Sequence, residues 1–433
     1  MSAIAEIWPK VGERLSEDEL GDFEERLIPA LRAFDEAWEG ADPAAPSGLV
    51  ASSEAVDAAA CAVAGLFEAR PPLGEWLAAE FNRLSGEPER FGPAEPPPFW
   101  PSSLRSLLVP VMYATDRAAL RPATGSAAYG SERGTLSYGQ ATVSVPDTHR
   151  VGEVDKPRWW RLRFRPAPAK DILLGSITPM TGDVFAQRVR GQLGQCATRE
   201  ALVFVHGYNV SFADAAVHAA QLAYDLNFTG AVLLYSWPSK SSLLDYPADG
   251  EAARRAVPYF QRFLRHLLTG TAVDEAHIVA HSMGNRVLTD GLAGLDTTSL
   301  SAGSGRLGHV VFAAPDVDSE VFRQLLPGIL RQARRCTLYV SDNDRALAVS
   351  RTLADFPRAG QRGDLAIVVP GLDTIDVTEL GADLLGHSYV NNHRSVLADL
   401  HGLLRHSRPP SERYGLTGVP HADGRYWSFQ PHD

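Results

Sequence analysis

The chain has 433 residues, is 45% apolar and carries a formal charge of −11. That length suits a large domain with a smaller one, and the apolar share argues against a disordered or fibrous chain. The longest apolar runs, such as "LVFV" and "AVLLY", fall well short of the ~20 residues a membrane-spanning helix needs, and three cysteines (Cys61, Cys196, Cys336) without CxxC spacing argue against a disulfide framework or zinc site.

The acid is concentrated at the start: residues 1–90 hold 19 Asp/Glu against 7 Lys/Arg, while the rest is close to neutral. Non-specific nucleic-acid binding needs a positive surface, so it is not expected. The opening "MSAIAEIWPKVGERLSEDEL" has neither a basic n-region nor an apolar h-region, which points to the cytoplasm. Leu20, Phe23, Leu27, Leu31 and Phe34 fall at three- and four-residue steps and predict a helical stripe. "SSEAVDAAACAVAGLFEAR" and "PLGEWLAAEFNRLSG" predict two more helices. Residues 1–88 thus read as an acidic helical module, suited to docking a protein partner or partly covering a site. Residues 89–104, rich in proline and glycine, read as its linker.

Residues 105–433 have a different pattern. "LLVPVMYAT", "TLSYGQATVSVP" and "DILLGSITPM" are strand-like. From residue 200, "ALVFVHG", "AVLLYSW", "AHIVAHS" and "HVVFAAP" each precede a helical stretch, at 212–226, near 250–268, from about 284 and at 318–329. "CTLYVSD" leads into a short helix, and "DTIDVT" precedes a helix at 389–404. Short, nearly all-apolar strands alternating with helices predict an α/β fold: a mostly parallel central sheet covered by helices on both faces.

Ligands of such sheets bind beyond the carboxyl ends of the strands. In "HIVAHSMGNRVL", Ser282 stands at that corner, with Ala280 and Gly284 two places either side. This A-x-S-x-G pattern lets a strand and helix pass close enough to hold a nucleophile on a tight turn. A serine nucleophile needs a base and an orienting acid. Asp344, in "TLYVSDNDRAL", and His387, in "LGHSYVNNHRS", follow Ser282 in the order acid, then histidine. Asp342 and Asp316 are alternative acids, though Asp316 equally suits a helix cap. His281 and His393 are weaker bases, the first directed away from the hydroxyl and the second inside a helical pattern.

An oxyanion hole requires two backbone N–H groups aimed at the developing charge. Met283, at the helix start, supplies one, and Tyr208 in "FVHGYNVSFADA" supplies the other. Ser211 and Asp214 predict a capping box for the helix that follows. Trp237 and His281 are taken as substrate contacts, with 237–250 forming one wall. Too few residues follow "VFAAP" for an inserted cap, so the site is expected to open to solvent. "GSGRLG" (303–308) satisfies G-x-G-x-x-G but precedes a strand, so no dinucleotide is expected. No metal-binding motif is recognised, and no cofactor is assigned.

The stretches "VPVMYATDR", "FVHGYNVSFADAAVHAAQLAYDLNFTGAVLLYSWPS", "AHSMGNRVL", "AAPDVD", "LYVSDNDRALAVS" and "GHSYV" resemble a bacterial α/β-hydrolase family of unknown function, usually described as esterase- or lipase-like. The resemblance spans about residues 105–405. It implies an α/β-hydrolase fold and the triad Ser282, Asp344, His387, with the "DRAL" acid at Asp344. The function this suggests is a serine esterase acting on a small acyl ester. A serine peptidase or amidase, and a scaffold with a hydrolase fold, are the alternatives.

Overall fold

A computed structural model describes residues 106–120, 128–146, 149, 172–240, 246–295, 300, 304–341, 356–362, 365–380 and 393–429. The expected helical module and its linker lie outside the described residues, as do Asp342, Asp344 and His387. Among the described residues, no helix is long and apolar enough to cross a membrane.

The domain opens with β1 (Ser106–Leu120), β2 (Ala128–Pro146), β3 (Leu173–Met180) and α1 (Gly182–Leu193). Regular alternation follows: β4 (Glu200–Val205), α2 (Phe212–Asp225), β5 (Ala231–Ser236), α3 (Tyr246–Gly270), β6 (Glu275–His281) and α4 (Gly284–Ala293). Next come β7 (Arg306–Ala313), α5 (Ser319–Leu330), β8 (Ala333–Val340), β9 (Leu372–Asp376) and α6 (His393–His406). A hairpin of β10 (Leu416–His421) and β11 (Gly424–Phe429) closes the described chain.

These strands form one sheet in the order β10-β11-β9-β8-β7-β6-β4-β5-β1-β2-β3. Neighbours from β11 to β1 pair in parallel, while β2 is antiparallel to both β1 and β3, and β10 to β11. The apolar strand sequences follow from this, because each central strand feeds two cores. Ala201, Val203 and Val205 of β4 join a core with Phe185 of α1, Phe263 of α3, Leu288 of α4 and Phe322 of α5. Leu202 and Phe204 join the opposite core with Ala216 and Ala220 of α2 and Leu400 and Leu403 of α6. Each large apolar side chain so buried contributes about 1.5–3 kcal/mol.

The same arrangement positions the site. β4 has β5 on one side and β6 on the other, and α2 and α4 cover opposite faces. The chain therefore leaves the carboxyl ends of β4 and β6 toward different faces, which opens a crevice where ligands bind in this class of sheet.

Several boundaries differ from the sequence reading. α3 starts at Tyr246 rather than near 250, so part of the expected 237–250 wall is helix. Asp249 in its first turn accepts from the Ser239 hydroxyl (2.6 Å) and the Lys240 N–H (2.8 Å). α1 was not expected, although Phe185, Val189 and Leu193 recur at four-residue steps and are all buried. The C-terminal hairpin was also missed, despite the "ADG" turn signal between its strands.

Candidate active site

Ser282 stands immediately beyond β6 at φ +48°, a left-handed conformation that side chains other than glycine rarely adopt. Its N–H donates to Ala313 O (2.9 Å) and continues the β6–β7 ladder. The Asn285 side chain donates to three carbonyls around the turn, those of Ala280 (3.2 Å), Ser282 (3.0 Å) and Ala313 (3.2 Å). Gly284 explains the small residue in the motif. A Cβ there would lie 2.4 Å from His206 O and 2.9 Å from Val205 O, inside the backbone of β4 and its exit. The strained turn is thus clamped from several directions, as a costly conformation must be to persist.

The Ser282 hydroxyl is buried and has no hydrogen-bond partner among the described residues. Such an orphan is uncommon in folded proteins and calls for an explanation, of which a catalytic role is one. The residue is 1% exposed, so the expectation of a nucleophile facing solvent is not met. The loop after β4 encloses it: a Cβ on Gly207 would fall 3.1 Å from Ser282 Cβ and 3.0 Å from His281 Nδ1. His281 therefore lies against this loop. Only the residues 314–318 separate β7 from α5, which leaves no room for a cap domain there.

Met283 is buried at the N-cap of α4 and makes no side-chain capping bond. Its backbone N–H lies at the positive end of the helix dipole. The loop 206–211 crosses nearby. Trp237 Nε1 donates to His206 O (2.8 Å), and Val210 N–H donates to Ser239 Oγ (3.3 Å). Asn209 N–H lies 3.4 Å from Asp249 Oδ2, and Arg117 donates to Val210 O (2.7 Å). The Ser211 side chain accepts from Asp214 N–H (3.1 Å), the expected cap of α2. Tyr208 is half-buried, its ring edge-on to Tyr246 at 5.5 Å.

Trp237 does not form a substrate wall. Its side chain is fully buried and stacks on the His206 ring at 5.1 Å, so it supports the loop from behind. His206 and Arg117, which the sequence reading did not single out, share this interior. Arg117 is buried at the end of β1 and donates to Ser236 Oγ (2.9 Å), Gly130 O (3.1 Å) and Ser239 O (3.1 Å). Burial, with the adjacent Arg117 charge, pushes the His206 pKa down to about 3. Burial also lowers Arg117 to about 10, so it stays a cation at neutral pH.

Asp316 neither caps the next helix nor stands free as an acid. Asp318 is the cap of α5, accepting from Glu320 N–H (2.9 Å) and Val321 N–H (3.1 Å). The buried Asp316 carboxylate instead accepts from Tyr246 OH (2.6 Å) and pairs with Arg286 (3.1 Å) and Arg358 (3.4 Å). Arg286, on α4, holds both ends of the residue, donating to the Asp316 carbonyl (2.7 Å) as well as to the carboxylate. His393 begins α6, and its side chain lies outside the described residues. At the opposite, amino ends of the strands, Glu200, Glu275 and His277 come together. His309 N–H donates to His277 Nδ1 (3.0 Å), leaving the ring proton on Nε2, and Arg306 and Arg334 already neutralise Glu275. That donor set does not fit a cation.

A family profile described as "Alpha/beta hydrolase of unknown function (DUF900)" matches residues 183–405, which include both loops of the site. None of the curated proteins matches the chain. Among solved structures, a Pyrobaculum calidifontis esterase is similar at 13% identity and a TM-score of 0.27, over 66% of this chain and 83% of that one. From the family match, over a sheet with this strand order, the chain belongs to the α/β-hydrolase family of unknown function.

Proposed function

We propose that the protein is a serine hydrolase that cleaves small carboxylic esters through an acyl-enzyme. The observation that carries this reading is Ser282: a buried hydroxyl without a partner among the described residues, on a left-handed turn at the switch point of the sheet. In chain order Asp344 comes after β8, and His387 comes between β9 and α6. In this mechanism His387 takes the Ser282 proton as Oγ attacks the ester carbonyl. The carbonyl oxygen gains the negative charge and is held by the N–H groups of Met283 and Tyr208. The tetrahedral intermediate then expels the alcohol, which receives the proton from His387. Water attacks the acyl-serine with His387 again as base, releasing the acid and restoring Ser282. Asp344 holds the imidazole in the tautomer that accepts the serine proton and stabilises the cation formed.

The enclosure of Ser282 and the short β7–α5 connection favour short acyl chains. A panel of acetyl, butyryl and long-chain esters, a thioester and a peptide, run on wild type and Ser282→Ala, tests the proposal. Turnover of the short esters by wild type alone is the expected result. Peptide turnover in preference to esters would make the enzyme an amidase, and turnover surviving in Ser282→Ala would refute the assignment.

A further inference from the structure

We infer that Arg117, Ser236 and His206 form a relay that orients the Gly207–Tyr208 peptide as an oxyanion donor, an inference that rests on the serine-hydrolase reading above. The direction of each bond follows from what each group can do. His206 Nδ1 lies 2.7 Å from Gly207 O. A carbonyl only accepts, so Nδ1 carries the ring proton. Nε2 of the neutral ring is then an acceptor, with Ser236 Oγ at 3.1 Å and Arg117 at 3.4 Å. A guanidinium only donates, so Ser236 Oγ accepts from Arg117 Nε (2.9 Å) and turns its own proton toward His206. The donors run one way, from cation to hydroxyl to imidazole to carbonyl.

The last acceptor is the informative one. Gly207 C=O and Tyr208 N–H belong to a single planar amide, and the described chain contains no cis peptide bond. Carbonyl and N–H therefore point to opposite sides, and fixing one fixes the other. A hydrogen bond to the carbonyl also polarises the amide and strengthens its N–H as a donor. This peptide starts at the glycine packed against Ser282, where a Cβ would be 3.1 Å from Ser282 Cβ. Burial and the neighbouring cation keep His206 neutral, so its tautomer does not change across the working pH range. The three residues touch no substrate; they are positioning residues.

The rest of the loop is tied down separately, through Asp249, Ser239 and the Arg117–Val210 bond. Perturbing His206 can thus misalign one peptide without releasing the loop. His206→Asn keeps an amide N–H where Nδ1 stood and can still donate to Gly207 O. His206→Gln places its amide near the Nε2 position, keeps contact with Ser236 and loses the bond to Gly207. Both lose the stacking on Trp237 equally. Removing one oxyanion donor typically lowers kcat by about 10²–10³. With p-nitrophenyl acetate, His206→Asn should hold kcat within about tenfold of wild type and His206→Gln should lose about 100-fold. KM should be unchanged in both and the unfolding temperatures should match. Ser236→Ala, a milder change, should lower kcat alone by about tenfold, as a weakened transition-state contact does.

Equal kcat in the Asn and Gln variants, or a loss confined to KM, would overturn the relay. If neither His206 variant folds, wild-type kcat in Ser236→Ala would overturn it. The underlying reading fails differently: wild type would not turn over the ester, or Ser282→Ala would match it.

Discussion

Replacing Ser282 with glycine should stabilise the protein while abolishing its activity. At φ +48° a residue with a Cβ bears about 1–2 kcal/mol of left-handed strain, which glycine relieves. The buried hydroxyl, which finds no partner among the described residues, costs up to about a further 1–3 kcal/mol of desolvation. Against these gains, glycine's extra freedom in the unfolded chain costs about 0.5–1 kcal/mol. The net expectation is a gain of about 2 kcal/mol, or about 3 °C in the unfolding midpoint for a domain of this size. Ser282→Ala removes the hydroxyl but keeps the strain, so it should gain roughly half as much. Thermal unfolding at one scan rate, supported by urea titration, should rank the proteins Gly above Ala above wild type. Wild type as the most stable of the three would refute the idea that this turn stores strain for function.

Gly284→Ala should do the reverse, because its Cβ would meet backbone rather than a movable side chain. A loss of about 1–3 kcal/mol is expected, read as a lower urea midpoint, and an unchanged midpoint would mean the β4–α4 approach is looser than described. Acidification should destabilise the fold below about pH 6.5. His206, His277 and His309 are buried neutral, with pKa values lowered to about 3, 4 and 3, so the unfolded chain binds protons that the folded chain refuses. Asp116 and Asp399, raised to about 6, oppose this between pH 4 and 6, so a urea series from pH 7.5 to 5 should fall with pH, and less steeply in His206→Asn. Asp344→Asn should cost turnover severely, up to about 10⁴-fold, and Asp342→Asn only mildly. Asp316→Asn should instead lower the unfolding midpoint, because it weakens pairing with Arg286 and Arg358; the reverse ranking of Asp342 and Asp344 would move the acid.

Periodicity made the alternating core of the domain readable, since strands buried on both faces are apolar at nearly every position. The elbow was readable for a related reason: a Cβ on Gly284 would come within 2.4 Å of His206 O, so the motif records a local constraint. Partners distant along the chain were not readable. Arg117 and Ser236 lie 119 residues apart, and nothing local marks either as a neighbour of His206. Trp237 was misread because a tryptophan after a strand end looks like a wall, whereas its indole turns inward to His206. Asp316 was misread because two aspartates precede α5 and only the pairing with Arg286 distinguishes them.

An activated Ser282 nucleophile should react with a phosphorylating probe. Incubating the full chain with a fluorescent fluorophosphonate, then mapping the adduct by peptide mass spectrometry, tests it most directly. The serine oxygen displaces fluoride from phosphorus, and the proton leaves through the base. One stoichiometric adduct is expected on the Ser282 peptide, absent from Ser282→Ala and strongly slowed in His387→Ala. No labelling of folded wild type, or an adduct on another serine that persists in Ser282→Ala, would contradict it.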